Sequence, residues 1–296
     1  MYISRKLLTF GLIALVGLVL SGSLLADDPT LAQKSTLESI IQSGKITVCS
    51  DFPFEPFEFE DAQGNLVGLD VDLIKMLAKQ MEVSFQFLAT PFDTIIPALN
   101  ARNCDLIASD ITATLKRALT ANFTEPYLRT GQIVLLSTSP NRPLANAVQQ
   151  YGDLNQAGVI LTVQLGTTGE EAARKFFPQA QINTFDNAQL ALQEVVAGRA
   201  DAIVFDDVFL RPQAQIVGGA GVLCCPRGNP QRLTEEPIAL AIRKGDPDFL
   251  TYLNLYIREA GTTIRVTQEL ASEFGFPAKT IGLTFLDALV ATWLEK

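Results

Sequence analysis

The chain has no histidine, only four cysteines, three methionines and one tryptophan in 296 residues. Without histidine there is no Ser-His-Asp or Cys-His nucleophilic site, no imidazole metal ligand and no ordinary charge switch near neutral pH. Basic residues are also scarce, 23 against 32 acids, for a net charge of −9. An acidic balance of that size argues against nucleic acid or anionic lipid as a partner. Beyond residue 20 no apolar run approaches the ~20 residues that span a bilayer.

The one long apolar run, residues 7–20, follows Arg5 and Lys6 and leads into small residues up to Ala26. That order is the charged, apolar and cleavage zones of a secretory signal over residues 1–26. No cysteine follows the run, so a lipid-anchored form is not expected. Losing Arg5 and Lys6 would take the net charge to −11. The remaining length suits two compact lobes rather than one.

Export would allow Cys49, Cys104, Cys224 and Cys225 to form disulfides. If Cys49 ends one parallel strand and Cys104 begins its neighbour, the two lie about 16 Å apart along the sheet. A bridge needs Cα atoms within about 7 Å, so these two are expected to be free, buried thiols. The state of Cys224 and Cys225 stays open.

After a polar lead at 27–35, strand and helix patterns alternate: ITVCS, a helix over 71–81, VSFQFLA, a helix over 93–101 opened by Asp93 as cap, then CDLIAS. Such alternation predicts an α/β layer with largely parallel strands, whose ligands bind beyond the strands' carboxyl ends. Asp51, Phe92 or Asp93, and Asp110 fall there. The stretch CDLIASDITATLKRALTANFTEPY adds a turn and a helix that Thr114 can cap, with Arg117 in its first turn. A helix N-terminus and a guanidinium fork together suit a carboxylate.

Residues 129–137 read as a strand leaving this lobe. A second alternation follows: VILTVQ, a helix over 168–177, INTF, a helix over 188–197, DAIVF, and a helix over 206–215. Residues 218–236 look like an irregular loop, PIALAIRKG returns as a strand, and three helices are expected to close the chain. The fold class is therefore α/β, with lobe one at 36–128 and 240–296, lobe two at 129–239, and two chain crossings as a hinge.

The stretches SDFPFEPFEFED, GNLVGLDVDLIKMLAKQM, FDTIIPALNARNCDLIASDITATLKRALTANFTEPY, VQLGTTGEEAARKF, AGRADAIVFDD and IALAIRKGDPDF run in one order over about 45–250. In that order the chain resembles the extracellular solute-binding proteins of polar amino-acid ABC transporters, with the periplasmic-binding-protein type II fold. The resemblance implies that Arg117 grips a ligand α-carboxylate, with Thr112, the backbone at Asp110, and Thr168 completing the site. It implies that Asp206 pairs the α-ammonium, and that Asp51, Phe54 and Phe92 line the side-chain part with Asp70 behind. It further implies a free amino acid as ligand, an ABC permease as partner, a periplasmic monomer, no cofactor, no metal and no catalytic residue. Asp110 departs from the small uncharged residue common in relatives. With Asp51 and Asp70 it makes an acid-rich pocket that leans towards arginine, lysine or histidine.

Plainer roles stay open for each residue. Thr114 could only cap its helix, and Arg117 could pair with Glu125. Thr168 with Glu171 fits a capping box, Phe54 and Phe92 could be core, and Asp70, Asp72, Asp206 and Asp207 could serve helix dipoles. An enzyme of the cyclohexadienyl or arogenate dehydratase type, which such binders resemble, is the alternative function; it needs a carboxylic acid held protonated. In the tail, Leu283, Leu286, Leu289, Val290 and Trp293 can share one face of a helix that packs on lobe one or meets a partner.

Overall fold

The computed structural model describes residues 35–273, with side chains described as far as residue 260. The expected signal, most of the polar lead and the tail helix lie outside the described residues. The chain opens with α1 (Thr36–Ser43), capped by Ser35, whose hydroxyl accepts from Leu37 N–H and donates to Asp246 at 2.7 Å. Then come β1 (Lys45–Ser50), a hairpin of β2 (Phe59–Glu60) and β3 (Leu66–Val67), α2 (Leu69–Gln80), β4 (Ser84–Ala89), α3 (Ile95–Asn100), β5 (Leu106–Ile107) and β6 (Asn122–Phe123). The middle of the chain supplies β7 (Leu128–Thr130), β8 (Gln132–Ser137), β9 (Ile160–Gln164), α4 (Thr168–Phe176), β10 (Gln181–Phe185), α5 (Ala188–Val196), β11 (Ala202–Asp206), α6 (Asp207–Ile216) and β12 (Gly221–Cys224). It ends with β13 (Glu236–Ile238), β14 (Ala241–Ile242) and α7 (Pro247–Glu273).

Two five-stranded sheets result, ordered β4-β1-β5-β14-β6 and β10-β9-β11-β8-β12. In the first, β1 is parallel to β4 and β5, while β14 returns antiparallel. In the second, β9 is parallel to β10 and β11, while β8 runs antiparallel to β11 and β12. The chain passes between the sheets at β7 and again at β13, and these two strands pair antiparallel, Glu236 with Thr130 and Ile238 with Leu128.

Alternation along the strands fills a core on both faces of each sheet. On β8, Ile133 and Leu135 pack with α5 and α6 residues such as Leu192 and Phe209; Val134 and Leu136 point the other way, with Phe177 and Ala173. In the first sheet Val48 and Leu106 meet Leu73, Leu77 and Phe249 on one face, and Cys49 and Ile107 meet Ile95 and Leu99 on the other. Each such fully buried aliphatic or aromatic side chain contributes about 1.5–3 kcal/mol.

Several expectations are corrected. Cys49 and Cys104 are bonded to each other, their Cα atoms 5.6 Å apart. The register pairs Cys49 with Ile107, a stagger of three residues rather than five. Cys104 is also not in the ladder; it sits in the turn that ends α3, where Arg102 takes a φ of 65° and Asn103 N–H returns to Ala98 C=O. That turn sets Cys104 over the face that carries Cys49. Cys224 and Cys225, whose state the sequence left open, are paired with each other. Residues 218–236 are not all loop, since the short apolar run VLC gives the edge strand β12. A single helix, α7, follows β14 among the described residues where three were expected. Asp93 caps nothing: it lies in a 3-10 turn, Phe92–Thr94, and neither that turn nor α3 has a side-chain cap. Among the described residues no helix is long and apolar enough to cross a membrane.

The Cys49–Cys104 bond closes a loop with a sequence separation of 55. Replacing both residues by alanine should cost about 2–4 kcal/mol, read as a lower urea midpoint with an unchanged circular dichroism spectrum.

Candidate functional site

The carboxyl ends of β1, β5, β9 and β11 face one cleft between the sheets, with a cavity of about 20 Å³. Seven of the nine residues picked from sequence line it: Asp51, Phe54, Phe92, Asp110, Thr112, Thr168 and Asp206. The other two sit outside its wall. Asp70 stands behind, as anticipated, accepting from Asp110 N–H at 2.9 Å and from the Tyr127 hydroxyl at 2.6 Å. Those bonds hold Asp110 at a φ of 44°, a left-handed backbone that aspartate tolerates better than most residues. Asp110 Oδ1 is buried and has no hydrogen-bond partner.

Arg117 does not pair with Glu125, which Arg258 holds instead. Its Nη1 donates to Thr112 C=O at 2.9 Å, on the first sheet's side, and its Nη2 to Gly166 C=O at 3.1 Å, on the second's. Cζ lies 5.1 Å above the Phe92 ring. The guanidinium therefore ties the two halves together and still has N–H groups to offer. The expected helix behind it is only a 3-10 turn, Arg117–Leu119, although Thr114 Oγ1 does accept from Arg117 N–H at 3.1 Å. A turn this short has no macrodipole, so the anion-binding part on this side rests on the guanidinium.

On the second sheet's side, α4 begins one residue earlier than its capping pattern suggested. Thr167 is the cap, accepting from Glu170 N–H at 3.3 Å, while Glu170 accepts from Gly166 N–H at 2.9 Å. Thr168 is thereby released from capping, and its hydroxyl lies 3.4 Å from that of Thr112 across the cleft. Gly166 has a φ of +77°, and a Cβ there would lie 3.1 Å from Asp93 Cα, so a glycine lets the two halves close. Phe54 crosses the cleft as well, stacking on Phe57 at 5.5 Å and on Phe209 at 5.3 Å.

Acids dominate the electrostatics. Asp206 accepts from Gln132 Nε2 at 3.0 Å through Oδ2, and its buried Oδ1 has no partner. Burial, opposed by that bond and reinforced by Glu236 and Asp207, pushes Asp206 up to about 7. Burial also raises Asp51 to about 6, although Gln164 Nε2 donates to its carboxylate from the opposite side of the cleft. Asp110 is driven well above the carboxylate range by burial and then by Asp206, Asp70 and Glu58.

Sequence reasoning missed Ser109, Gln164, Thr167 and Phe205 on the cavity wall. Gln164 ends β9, and that place at a strand's carboxyl end was legible. Ser109 links two acids, accepting from Asp51 N–H at 2.8 Å and donating to Glu58 at 2.9 Å; no local pattern marks it.

Two α/β sheets joined by paired crossings around an enclosed polar cleft define the periplasmic-binding-protein type II fold. The family model for bacterial extracellular solute-binding proteins, family 3, matches residues 46–279, and the chain belongs to that family. It is 29% identical over 243 residues to a probable histidine-binding protein of Neisseria gonorrhoeae, covering 80% of this chain and 87% of the relative. It is 26% identical over 257 residues to a cyclohexadienyl dehydratase of Pseudomonas aeruginosa, covering 86% and 92%. Two solved structures of the ancestral protein AncCDT-1 superpose with TM-scores of 0.70 and 0.59 at 36% and 35% identity. Each pairs 88% of this chain with 99% of that one. One is described as an amino-acid-binding precursor of cyclohexadienyl dehydratase, the other as a cationic amino acid solute-binding protein.

Asp51, Asp70 and Asp206 hold protons more tightly folded than unfolded, so the folded state gains stability from them below about pH 4 and loses it as pH rises through 6 to 7. Thermal melts of ligand-stripped protein should therefore fall between pH 4 and pH 7, and Asp206→Asn should flatten the upper part of that fall. A flat profile for the parent protein would contradict the raised acids.

Proposed function

We propose that the protein is an extracytoplasmic receptor that closes two lobes on an L-amino acid, with basic amino acids favoured, and delivers it to an ABC importer. In this reading residues 36–128 with 240–296 act as one lobe and 129–239 as the other, turning about β7 and β13. The protein works as a periplasmic monomer that binds without chemistry. The observation that carries the reading is the pair of buried, unpartnered oxygens on Asp110 and Asp206, two residues of the cavity wall that Thr112 and Thr168 also line. An α-amino acid supplies an ammonium to Asp206 and a carboxylate to Thr168 and the spare N–H groups of Arg117. A second cation on its side chain suits the remaining acids, Asp51 and Asp110. Because the two lobes hold opposite ends of the ligand, binding favours the closed form, and that shape is what a permease reads. The names of the relatives point the same way, to histidine and to cationic amino acids.

The dehydratase alternative draws on the same acids: a carboxyl held protonated near neutral pH can donate to a departing hydroxyl, and Asp206 stands at about 7. Incubation with prephenate and with arogenate separates the two, since a receptor gives no aromatic product.

A thermal-shift panel of the twenty amino acids, ornithine, citrulline and prephenate on refolded, stripped protein should respond to arginine, lysine, ornithine or histidine. Ligand at 100 times its dissociation constant adds about 2.7 kcal/mol. A response to glutamine or neutral amino acids alone would keep the receptor and remove the basic preference. Arg117→Ala should weaken binding of the responding amino acid by about 2–5 kcal/mol, and undiminished binding by calorimetry would remove Arg117 from the site.

A further inference from the structure

Gln132 is the first residue of β8, directly after the crossing strand β7, and is fully buried. Its side chain lies behind the cavity wall and touches two groups that face the ligand. Nε2 donates to Asp206 Oδ2 at 3.0 Å and lies 3.3 Å from Thr168 Oγ1. An amide nitrogen has two hydrogens, and each of these acceptors takes one.

That arrangement fixes polarity. The ionised form of Asp206 has no proton to donate, so in that form the contact requires the amide nitrogen on this side and leaves Gln132 Oε1 turned away. Oε1 is buried without a partner. With Thr168 Oγ1 already accepting from Gln132, its own proton must point elsewhere, towards Thr112 or a ligand anion. With Oδ2 of Asp206 occupied, the unpartnered Oδ1 is the acceptor left for a ligand cation. One amide therefore turns Thr168 into a donor and Asp206 into a one-sided acceptor.

A second observation shows that the amide has a built seat. Gly169, in the first turn of α4, has no positive φ to explain it, but a Cβ there would lie 2.9 Å from Gln132 Oε1 and 3.0 Å from Val204 C=O. The glycine of the TTGEE stretch makes room for the amide.

Building on the amino-acid receptor reading, we propose that Gln132 is a positioning residue that sets the two poles of the ligand site, holding Thr168 as donor to the α-carboxylate and Asp206 as acceptor from the α-ammonium. The charged groups facing Asp206 are Asp207 on α6, Glu236 on β13, Asp110 after β5, and Arg117 across the cleft. Three of the four are acids and raise Asp206; the Gln132 amide favours its ionised form, and the Thr130 hydroxyl adds a smaller effect in the same direction.

The test measures binding of L-arginine and of L-histidine by calorimetry from pH 6 to pH 8.5, for the parent protein, Gln132→Met and Gln132-intact Gly169→Ala. Gln132→Met keeps the shape and removes the donor. Gly169→Ala disturbs the amide's seat and keeps the test standing should Gln132→Met fail to fold. The expected deficit is roughly 10- to 100-fold at pH 6, the range for losing a hydrogen bond to a charged group. It should shrink towards pH 8.5, where Asp206 is ionised with or without the amide. Effects of the other acids cancel in the ratio of variant to parent. A deficit equal at all pH values, or affinity within twofold of the parent, overturns the proposal and leaves the receptor reading standing. Failure of the parent itself to bind either amino acid overturns the proposal and removes arginine and histidine from the receptor reading.

Discussion

Two oxygens, Oδ1 of Asp110 and Oδ1 of Asp206, are buried without a hydrogen-bond partner, and the rest of the structure is arranged around that imbalance. A buried ionised carboxylate without a partner costs several kcal/mol, so the group either keeps a proton or awaits a cation. Burial holds Asp51, Asp70, Asp110 and Asp206 above the ordinary carboxylate range, and repulsion from neighbouring acids adds to it at Asp51, Asp110 and Asp206. A ligand that brings positive charge relieves the same imbalance, and this links the stability of the empty protein to the chemistry of what it takes up.

The acids reach one place because of how parallel strands end. Asp51 follows β1, Asp110 follows β5, and Asp206 is the last residue of β11, so two sheets point their carboxyl ends at each other. The paired crossings β7 and β13 set the approach of the sheets. Closure then depends on contacts that each use one partner from either side: Arg117 with Gly166 C=O, Gln164 with Asp51, Lys116 with Glu171 at 2.6 Å, and Phe54 with Phe209. Lys116 and Glu171 are both exposed, and such an ion pair is worth little in water. The buried members carry more of the closed geometry.

The site was legible where chemistry follows from position along the chain. Strand ends pointed to Asp51, Phe92 or Asp93, and Asp110, and the family resemblance pointed to Asp206; of these Asp51, Phe92, Asp110 and Asp206 stand on the cavity wall. Reading failed where a short-range pattern had two registers or the path left the strand. TTGEE offers a capping box from either threonine, and only the backbone shows that Thr167 takes it and frees Thr168. The spacing of Cys49 and Cys104 was judged along a strand, but the turn after α3 carries Cys104 over the sheet. A three-residue apolar run, VLC, fell below what periodicity can recognise, so β12 went unseen.

The sequence by itself determined the alternation of strands and helices, the acidic composition, the absence of imidazole chemistry and which residues stand at strand ends, because these depend on side-chain identity and local spacing. Tertiary structure alone decided which threonine caps α4, which cysteines meet, and that Gln132, Gln164 and Ser109 bind the acids of the site. Those outcomes depend on contacts between residues far apart in the chain. Gln132 and Asp206 are 74 residues apart, and Asp51 and Gln164 are 113 apart. No local pattern records a contact that exists only once two sheets have been folded and set face to face.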